Sequence, residues 1–321
     1  MSVIGIAGAG AFGTAMGVVL AEAGRDVAIW AHEEPFAEEI RQCNENPRLP
    51  GVQLPPNVAI TSDIDAIGGS ELVLLATPMQ VLASVLETYG PRLGARAMVA
   101  CCKGVDLATG RGPVAIIAEN CPETVPAVLT GPSFAADIAR GLPTALTLAC
   151  ADPSVGVALQ ERLSTQTLRL YRTTDTVGAE LGGALKNVMA IAAGIVIGTG
   201  LGESARAALI TRGFAEMQRF ARVYGAEPET LAGLSGFGDL VLTCTSAQSR
   251  NFSFGVALGK GQYFDPEVTV EGAATARAVA AIATARGIDM PVTQSVAHVI
   301  DGRRSISEAV KILLSRPLKE E

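Results

Sequence analysis

The sequence predicts an α/β domain with a parallel sheet, followed by a domain built only of helices. Short apolar runs alternate with stretches of helical spacing in the first half of the 321 residues, as is typical of a parallel sheet covered on both faces. After about Val177, long alanine-rich segments replace these runs. We therefore expect an α/β domain at residues 1–178 and an all-α domain at residues 179–321.

Seven runs in the first half have the length and composition of strands. They are Val3–Ala7, Asp26–Trp30, Glu71–Thr77, Ala97–Cys101, Ala127–Thr130, Thr144–Ala149 and Leu168–Tyr171. Helical spacing lies between them at Ala11–Ala23, Met79–Tyr89 and Val114–Glu119. In the second half we expect helices at Ala179–Ile197, Ser204–Tyr224, Thr275–Arg286, Val292–Ile300 and Ser305–Leu314, with glycine-rich breaks at Gly198–Gly202 and Gly233–Gly238.

The composition excludes several classes of function. A formal charge of −7 argues against a non-specific nucleic-acid binder, which needs a basic surface. Six scattered cysteines without CxxC and only two histidines predict no metal site and reduced, packed thiols. The apolar start of the chain lacks a basic segment, and the apolar stretch Val188–Ile197 is too short to span a bilayer. We expect a cytoplasmic protein without membrane insertion.

The glycines Gly8, Gly10 and Gly13 form a GxGxxG pattern between a predicted strand and a predicted helix. In that context the first glycine permits a tight turn, the second lets a pyrophosphate approach the backbone, and the third lets helix and strand pack closely. The helix N-terminus offers N–H groups and a positive dipole end to the phosphates. The pattern predicts a dinucleotide-binding site.

The choice between NAD and NADP depends on the residues after the second predicted strand. Glu33 lies about 20 residues past the last glycine, where an acid can hold the ribose 2′-hydroxyl. The adjacent His32 can instead contact a 2′-phosphate, and no arginine stands beside it. The sequence leaves this choice open.

Lys186 is the least expected residue of the chain. Apart from Asn187, the stretch Leu181–Ile197 around it is apolar, and its helical neighbours three and four residues away are glycine, methionine and alanine. A buried ammonium needs a partner, and such lysines commonly have chemical roles. The alternative is a lysine that reaches solvent at a helix end near Glu180.

Two polar segments in the second half contain candidate partners for Lys186 and for a phosphate. Asp239 lies between glycine and an apolar run, so it is either the partner of Lys186 or the cap of the next helix. Ser249, Arg250 and Asn251 are three consecutive donors that can clamp a phosphate. A capping serine beside a surface arginine is the alternative.

Lys103, Gly131 and Ser133 follow predicted strands of the first domain. Ligands of open parallel sheets lie beyond the carboxyl ends of the strands. We therefore expect Lys103 and Ser133 to face a ligand, together with Lys186.

In combination these segments resemble the bacterial NAD(P)-dependent glycerol-3-phosphate dehydrogenases. The resemblance runs along the chain through GAGAFGTA, CCKG, GPSFA, LGGALKNVMAIAAG, ARAALITRG, GFGDLVLTCTSAQSRN and VEG. It implies a Rossmann-type N-terminal domain and an all-α C-terminal domain. It also implies a homodimer that interconverts dihydroxyacetone phosphate and sn-glycerol 3-phosphate with NAD(H) or NADP(H), feeding glycerophospholipid synthesis.

The resemblance further implies the roles of individual residues. Lys186 is the implied proton donor and acceptor, with Asp239 and Lys103 as its charged neighbours in the catalytic set. The implied substrate contacts are Lys103, Gly131, Ser133, Lys186, Asn187, Asp239, Ser249, Arg250 and Asn251. The implied cofactor contacts are Gly8, Gly10, Ala11, Phe12, Gly13, His32, Lys103, Ala135, Arg250 and Glu271.

The chain departs from the family pattern at two places, and two other functions stay open. Ala11 and Phe12 stand where the family usually has serine and tryptophan or tyrosine, and the stretch between Gly259 and Glu271 is shorter than usual. One alternative is a related β-hydroxyacid or 6-phosphogluconate-type dehydrogenase, against which Ser249–Asn251 argues. The other is a catalytically silent NAD(P) sensor, which has no use for a buried proton donor.

Overall fold

The computed structural model describes residues 3–106 and 109–315. Contacts divide the chain into two compact units, Met1–Glu180 and Leu181–Glu321. The border between them lies inside one long helix, Thr176–Gly198. Each unit has its own hydrophobic core.

The first unit is built on one eight-stranded sheet with helices between the strands. The strands are β1 (Ile4–Ala7), β2 (Val27–Trp30), β3 (Val58–Thr61), β4 (Leu72–Leu75), β5 (Ala97–Ala100), β6 (Val125–Thr130), β7 (Thr144–Cys150) and β8 (Leu168–Thr173). The helices are α1 (Ala11–Glu22), α2 (Glu34–Cys43), α3 (Leu82–Leu93), α4 (Pro113–Asn120), α5 (Ala135–Ala139) and α6 (Pro153–Leu163). The strand order β3-β2-β1-β4-β5-β6-β7-β8 begins with the arrangement of a Rossmann-type sheet, which confirms the predicted fold class.

The inner strands explain the unbroken apolar runs of the sequence. Every residue of β1, β2, β4 and β5 is buried. Strands covered on both faces have no solvent side, so their sequences do not alternate between apolar and polar residues. The edge strand β3 is half-exposed and was missed by the sequence analysis.

One strand departs from the expected parallel sheet. β7 runs antiparallel to β6 and parallel to β8. The connection from β6 to β7 contains only the five-residue helix α5, which packs against α1. If β7 were parallel to β6, the connection would have to run back to the opposite end of the strands, which takes a longer segment. An antiparallel β7 can begin at the end of the sheet where β6 finishes.

The second unit contains helices and no strand among its described residues, 181–315, as predicted. Its helices are α7 (Thr176–Gly198, shared with the first unit), α8 (Glu203–Val223), α9 (Pro228–Ala232), α10 (Asp239–Thr245), α11 (Arg250–Lys260), α12 (Glu271–Arg286), α13 (Pro291–Ile300) and α14 (Ile306–Leu314). The core is built along α7, whose Leu185, Val188, Met189 and Ile191 are fully buried.

The predicted glycine-rich break at Gly233–Gly238 is confirmed at Gly233, where α9 has ended and the backbone is extended, and is wrong for the residues that follow. Leu234–Gly238 forms a π-helical turn that leads directly into α10. Gly236 accounts for the tight turn, because a Cβ at this residue would collide with the carbonyl oxygen of Leu231. Turns of this kind are frequent at functional sites.

One helix, Thr176–Gly198, is long and apolar enough to cross a membrane by length and composition alone. However, 83% of its most apolar stretch is buried inside the protein. A helix with this much of its surface buried inside the protein is typical of a hydrophobic core.

Candidate active site

The glycines of the GxGxxG segment have the surroundings that a dinucleotide site requires. Gly8 has φ +119°, and a Cβ there would lie 2.8 Å from the carbonyl oxygen of Ala76. A Cβ at Gly13 would collide with the carbonyl oxygen of Gly8, so this glycine lets α1 pack closely on the loop. At Gly10, by contrast, a Cβ would meet nothing within 4 Å. The segment is thus tight at its ends and open at its centre, which fits a pyrophosphate there.

Gly10 is also the N-cap residue of α1, and as a glycine it has no side chain with which to cap this helix end. The first N–H groups of a helix have no partner within the helix and form an anion-binding end. Ala11 and Phe12 are half-buried in this first turn. The sequence prediction of a cofactor segment therefore has a matching local geometry.

His32 and Glu33 lie just beyond the end of β2. His32 is exposed, with its ring 5.5 Å from that of Trp30 and 6.3 Å from that of Tyr89. Glu33 is an exposed N-cap residue of α2 whose side chain makes no capping hydrogen bond. Nothing in this geometry favours NAD over NADP.

Lys103, Gly131 and Ser133 come together beyond the carboxyl ends of β5 and β6. Lys103 Nζ donates a hydrogen bond to the carbonyl oxygen of Gly131 at 3.2 Å, and Ser133 Oγ donates to the same oxygen at 3.3 Å. Ala135 follows as the first residue of α5. Two segments that are far apart in the chain thus supply a cation and a hydroxyl at one edge of the sheet.

Lys186 is buried in the middle of α7, at 6% exposure. Its Nζ donates to Asp239 Oδ1 at 2.8 Å and to Thr243 Oγ1 at 2.7 Å. Thr243 Oγ1 also lies 3.2 Å from Asp239 Oδ1, and both residues are buried. The alternative of a lysine reaching solvent at a helix end is therefore wrong, as is a capping role for Asp239.

Close packing of α7 on the π-helical turn brings Asp239 to Lys186. Gly182 lies one helical turn before Lys186 on the same face. A Cβ at Gly182 would be 2.6 Å from the carbonyl oxygen of Ser235. The glycine therefore allows a backbone approach that a larger residue would prevent.

Asn187 and Asn251 link α7 with α11 and α12. Asn251 Nδ2 donates to Asn187 Oδ1 at 3.1 Å, and Asn251 Oδ1 accepts the N–H of Gly272 at 2.9 Å. Ser249 is the N-cap residue of α11 and accepts the N–H of Phe252, so the capping alternative holds for this serine. Glu271 begins α12, beside Gly272.

Arg250 is exposed at the first residue of α11. In residues 3–106 and 109–315 no ion pair involves its side chain. Of the three consecutive donors found in the sequence, Ser249 and Asn251 thus have partners within the unit, and the exposed Arg250 lies between them.

Comparison with known proteins identifies the family. The sequence model of the NAD-dependent glycerol-3-phosphate dehydrogenase N-terminus matches residues 3–156, and that of the C-terminus matches residues 175–311. This chain belongs to the NAD-dependent glycerol-3-phosphate dehydrogenase family. A relative named glycerol-3-phosphate dehydrogenase [NAD(P)+], from Cereibacter sphaeroides, is 62% identical over 99% of this chain and 100% of its own.

Solved structures agree with this assignment. The crystal structure of glycerol-3-phosphate dehydrogenase from Coxiella burnetii has a TM-score of 0.92 and 38% identity, covering 98% of this chain and 99% of the other. A PanE/ApbA family ketopantoate reductase from Ralstonia eutropha has a TM-score of 0.59 and 17% identity, over 93% and 97% of the two chains. That second likeness shows a common fold alone.

Thr243, which contacts both Lys186 and Asp239, was not among the residues predicted from the sequence. The signal was available, because Thr243 is four residues after Asp239 and therefore on the same face of α10. The neighbouring Cys244 is also buried, and burial raises the pKa of its thiol to about 12. The thiol is therefore protonated at neutral pH and adds no charge beside Lys186.

Proposed function

We propose that this chain interconverts dihydroxyacetone phosphate and sn-glycerol 3-phosphate with NAD(P)H, and that Lys186 is its proton donor and acceptor. The observation that carries the proposal is the buried group formed by Lys186, Asp239 and Thr243. An ammonium at 6% exposure on an apolar helix is stabilised here by two hydrogen bonds, one of them to a carboxylate. Burial of a charged group is unfavourable because the group loses its hydration, so a buried ammonium of this kind indicates a chemical role.

In this proposal residues 1–178 supply most of the cofactor contacts, and residues 179–321 supply the catalytic group and the remaining cofactor contacts. The open space at Gly10 and the uncapped end of α1 fit a pyrophosphate. The other proposed cofactor contacts are Gly8, Ala11, Phe12, Gly13, His32, Lys103, Ala135, Arg250 and Glu271. When bound, the nicotinamide supplies the hydride that C2 of the substrate receives.

Lys186 Nζ donates a proton to the oxygen on C2 as that oxygen gains negative charge during reduction. In the reverse direction the same nitrogen accepts the proton from the hydroxyl of sn-glycerol 3-phosphate. Asp239 and Thr243 fix the position of Nζ by two hydrogen bonds. Lys103 adds a second positive charge to the proposed catalytic set.

Arg250 is the main proposed contact of the substrate phosphate, since its guanidinium can form a charge-assisted fork with two phosphate oxygens. Ser249 and Asn251 flank it and fix its helix end through their own hydrogen bonds. Gly131, Ser133 and Asn187 are the further proposed substrate contacts. The small phosphorylated substrate thus meets positive charge although the chain as a whole is acidic.

We also propose a homodimer that acts in the cytoplasm and supplies sn-glycerol 3-phosphate for glycerophospholipid synthesis. Burial of the apolar helix Thr176–Gly198 within the protein supports a location away from the lipid bilayer. Light scattering coupled to size-exclusion chromatography measures the subunit number directly.

The activity is tested by the fall in absorbance at 340 nm with dihydroxyacetone phosphate and, in parallel, NADH or NADPH. Rapid oxidation of either cofactor is expected, and the ratio of the two rates settles the choice left open by His32 and Glu33. Dihydroxyacetone without the phosphate is the matched control and should react far more slowly. Cofactor binding without oxidation would favour a silent sensor, and faster reaction with β-hydroxyacids or 6-phosphogluconate would favour the related dehydrogenases.

A further inference from the structure

The loop between α2 and β3 is fastened to the GxGxxG segment by one side chain. Asn46 is only 1% exposed. Its Nδ2 donates to the carbonyl oxygen of Ala9 at 3.1 Å and to Thr14 Oγ1 at 2.6 Å. Ala9 lies between the first two glycines and Thr14 lies in the first turns of α1, so Asn46 holds the middle of the segment and the helix that follows it.

Asn46 is itself held in place by its own loop, residues 44–54. Asn46 Oδ1 accepts the N–H of Arg48 at 2.9 Å, and its carbonyl oxygen accepts the N–H of Leu49 at 2.8 Å. A bridge between Glu45 and Gln53 closes the loop, and the side chain of Leu49 is buried in the core of the first unit. The amide group is thus fixed from both sides rather than free to choose its partners.

The hydrogen bond to Ala9 determines the direction of the next N–H group. The peptide between Ala9 and Gly10 is trans, and in a planar trans peptide the C=O and N–H groups point in opposite directions. Since the Ala9 carbonyl points to the buried Asn46, the Gly10 N–H points away from it. Of the three glycines of the segment, Gly10 is the one at which an added Cβ would meet nothing within 4 Å.

We propose that Asn46 is a positioning residue for the cofactor, which turns the Gly10 N–H toward the pyrophosphate. The inference rests on the proposed cofactor site. A buried amide without partners is destabilising by about 1–3 kcal/mol, so packing alone would favour an apolar residue here. All three hydrogen bonds of the Asn46 amide instead go to the GxGxxG segment, to α1 and to its own loop.

The test uses fluorescence titration to measure how tightly the full chain binds each of two ligands. NADH contains the pyrophosphate, whereas adenosine lacks it. In Asn46→Ala we expect the Kd of NADH to rise about tenfold, the effect of one lost hydrogen bond to the phosphates, while the Kd of adenosine changes less than twofold. Gln53→Ala is the matched control, because Gln53 lies in the same loop, is exposed and bonds only Glu45 and Asn44 among the described residues.

A second variant, Thr14→Val, tests the same contact with little change in volume. It removes one of the two acceptors of Asn46 Nδ2 and leaves the bond to Ala9, so a smaller rise in the Kd of NADH is expected. An unchanged Kd of NADH in folded Asn46→Ala would overturn the inference, and so would equal losses for NADH and adenosine, which indicate general damage to the domain. If Asn46→Ala does not fold, an unchanged Kd in Thr14→Val overturns it. Failure of the wild-type chain to bind NADH overturns the proposed function and this inference together.

Discussion

Lys186 is the residue on which the proposed chemistry depends. Asp239 and Thr243 stabilise its buried ammonium by hydrogen bonds. Removing either neighbour leaves an ammonium or a carboxylate buried with fewer partners. Breaking a buried ion pair on one side is destabilising by about 3–5 kcal/mol, whereas loss of a neutral partner is milder. Asp239 and Thr243 therefore call for different experiments.

Thr243→Val removes a hydroxyl while nearly keeping the volume of the side chain. The hydroxyl accepts a hydrogen bond from the ammonium of Lys186 and lies within hydrogen-bonding distance of Asp239, so its loss removes one of the contacts that orient Nζ. A hydrogen bond to a charged group contributes about 1.5–3 kcal/mol, which corresponds to a kcat about ten to a hundred times lower. Steady-state kinetics should show this fall in kcat with the KM for NADH unchanged.

Thr245→Val is the control for this variant. Thr245 lies on the same helix, is exposed, and donates its hydroxyl to the carbonyl oxygen of Val241. Its kcat should stay within twofold of wild type, and Thr243→Ser, which keeps the hydroxyl, should recover most of the activity. A Thr243→Val enzyme with normal kcat would show that the hydroxyl of Thr243 is not needed to orient the ammonium.

Among individual residues, the sequence predicted those whose charge stands out from apolar neighbours. A lysine in an apolar helix and an aspartate between glycine and leucine are visible without coordinates. Thr243 carried only one weak signal, its spacing of four residues from Asp239. Asn46 was missed because asparagine is ordinary in loops, and only its burial and its partners distinguish it. The side-chain bonds of Asn251 to Asn187 and Gly272 were invisible for the same reason.

Among the helices, glycine contacts fix how the elements of the proposed site approach one another. Gly194 of α7 and Gly255 of α11 face each other, and a Cβ on either would collide with backbone of the opposite helix. This close crossing holds α11, which carries Ser249 and Arg250 at its start, against the helix of Lys186. Small residues at helix crossings allow such short backbone distances.

Two helix starts are capped by carboxylates from distant elements, the buried Glu216 and the half-buried Glu180. Glu216 of α8 accepts the N–H groups of Val292 and Thr293 at the start of α13, at 2.6 and 3.1 Å. Glu180 accepts the N–H of Val114 at the start of α4, at 2.7 Å. Burial raises the pKa of each carboxyl from near 4.5 to about 7, although these hydrogen bonds act in the opposite direction.

These raised pKa values predict that the protein is more stable in mild acid than at alkaline pH. In the unfolded chain the carboxyls titrate near 4.5, so between pH 4.5 and 7 the folded state binds more protons than the unfolded state. The stability that this provides is present below pH 4.5 and is lost as the pH rises through about 7. Urea unfolding at a series of pH values from 5.5 to 8.5 measures the slope.

Glu216→Gln should reduce that slope, because the amide does not titrate. Glu180 still titrates in this variant, so part of the slope remains. Glu229→Gln is the control, since Glu229 is exposed in the first turn of α9. A free energy of unfolding whose pH dependence is the same in Glu216→Gln as in wild type would contradict the account.

Elements with strong apolar patterns were predicted best from the sequence, and short or polar ones were missed. The buried strands β1, β2, β4 and β5 and the long helices α7 and α8 were predicted within a few residues. The polar helix α2 and the short helices α9 and α10 were missed, because few of their residues are buried or because glycines interrupt the pattern. The antiparallel direction of β7 was missed because the apolar run of a strand does not encode its direction.

For the molecule as a whole, the proposed cofactor binding and the proposed proton transfer depend on two different kinds of structure. A parallel sheet with its strand ends at one edge provides loops and a free helix start, which suit an anionic cofactor. A helical unit with a wide apolar core provides a place where one ammonium is shielded from water. The family relationship runs over both units, at residues 3–156 and 175–311, so neither part of the proposal depends on a local likeness.

The most direct test of the central claim is single-turnover oxidation of NADH by dihydroxyacetone phosphate in Lys186→Met. The double variant Lys186→Met with Asp239→Asn avoids leaving a buried carboxylate unpaired, and Lys260→Met removes an exposed lysine as the control. We expect both Lys186 variants to slow the chemical step by about 100 to 10,000-fold while the Kd of NADH stays within twofold of wild type. Turnover within tenfold of wild type in either folded Lys186 variant would contradict the assignment of Lys186 as the proton donor and acceptor.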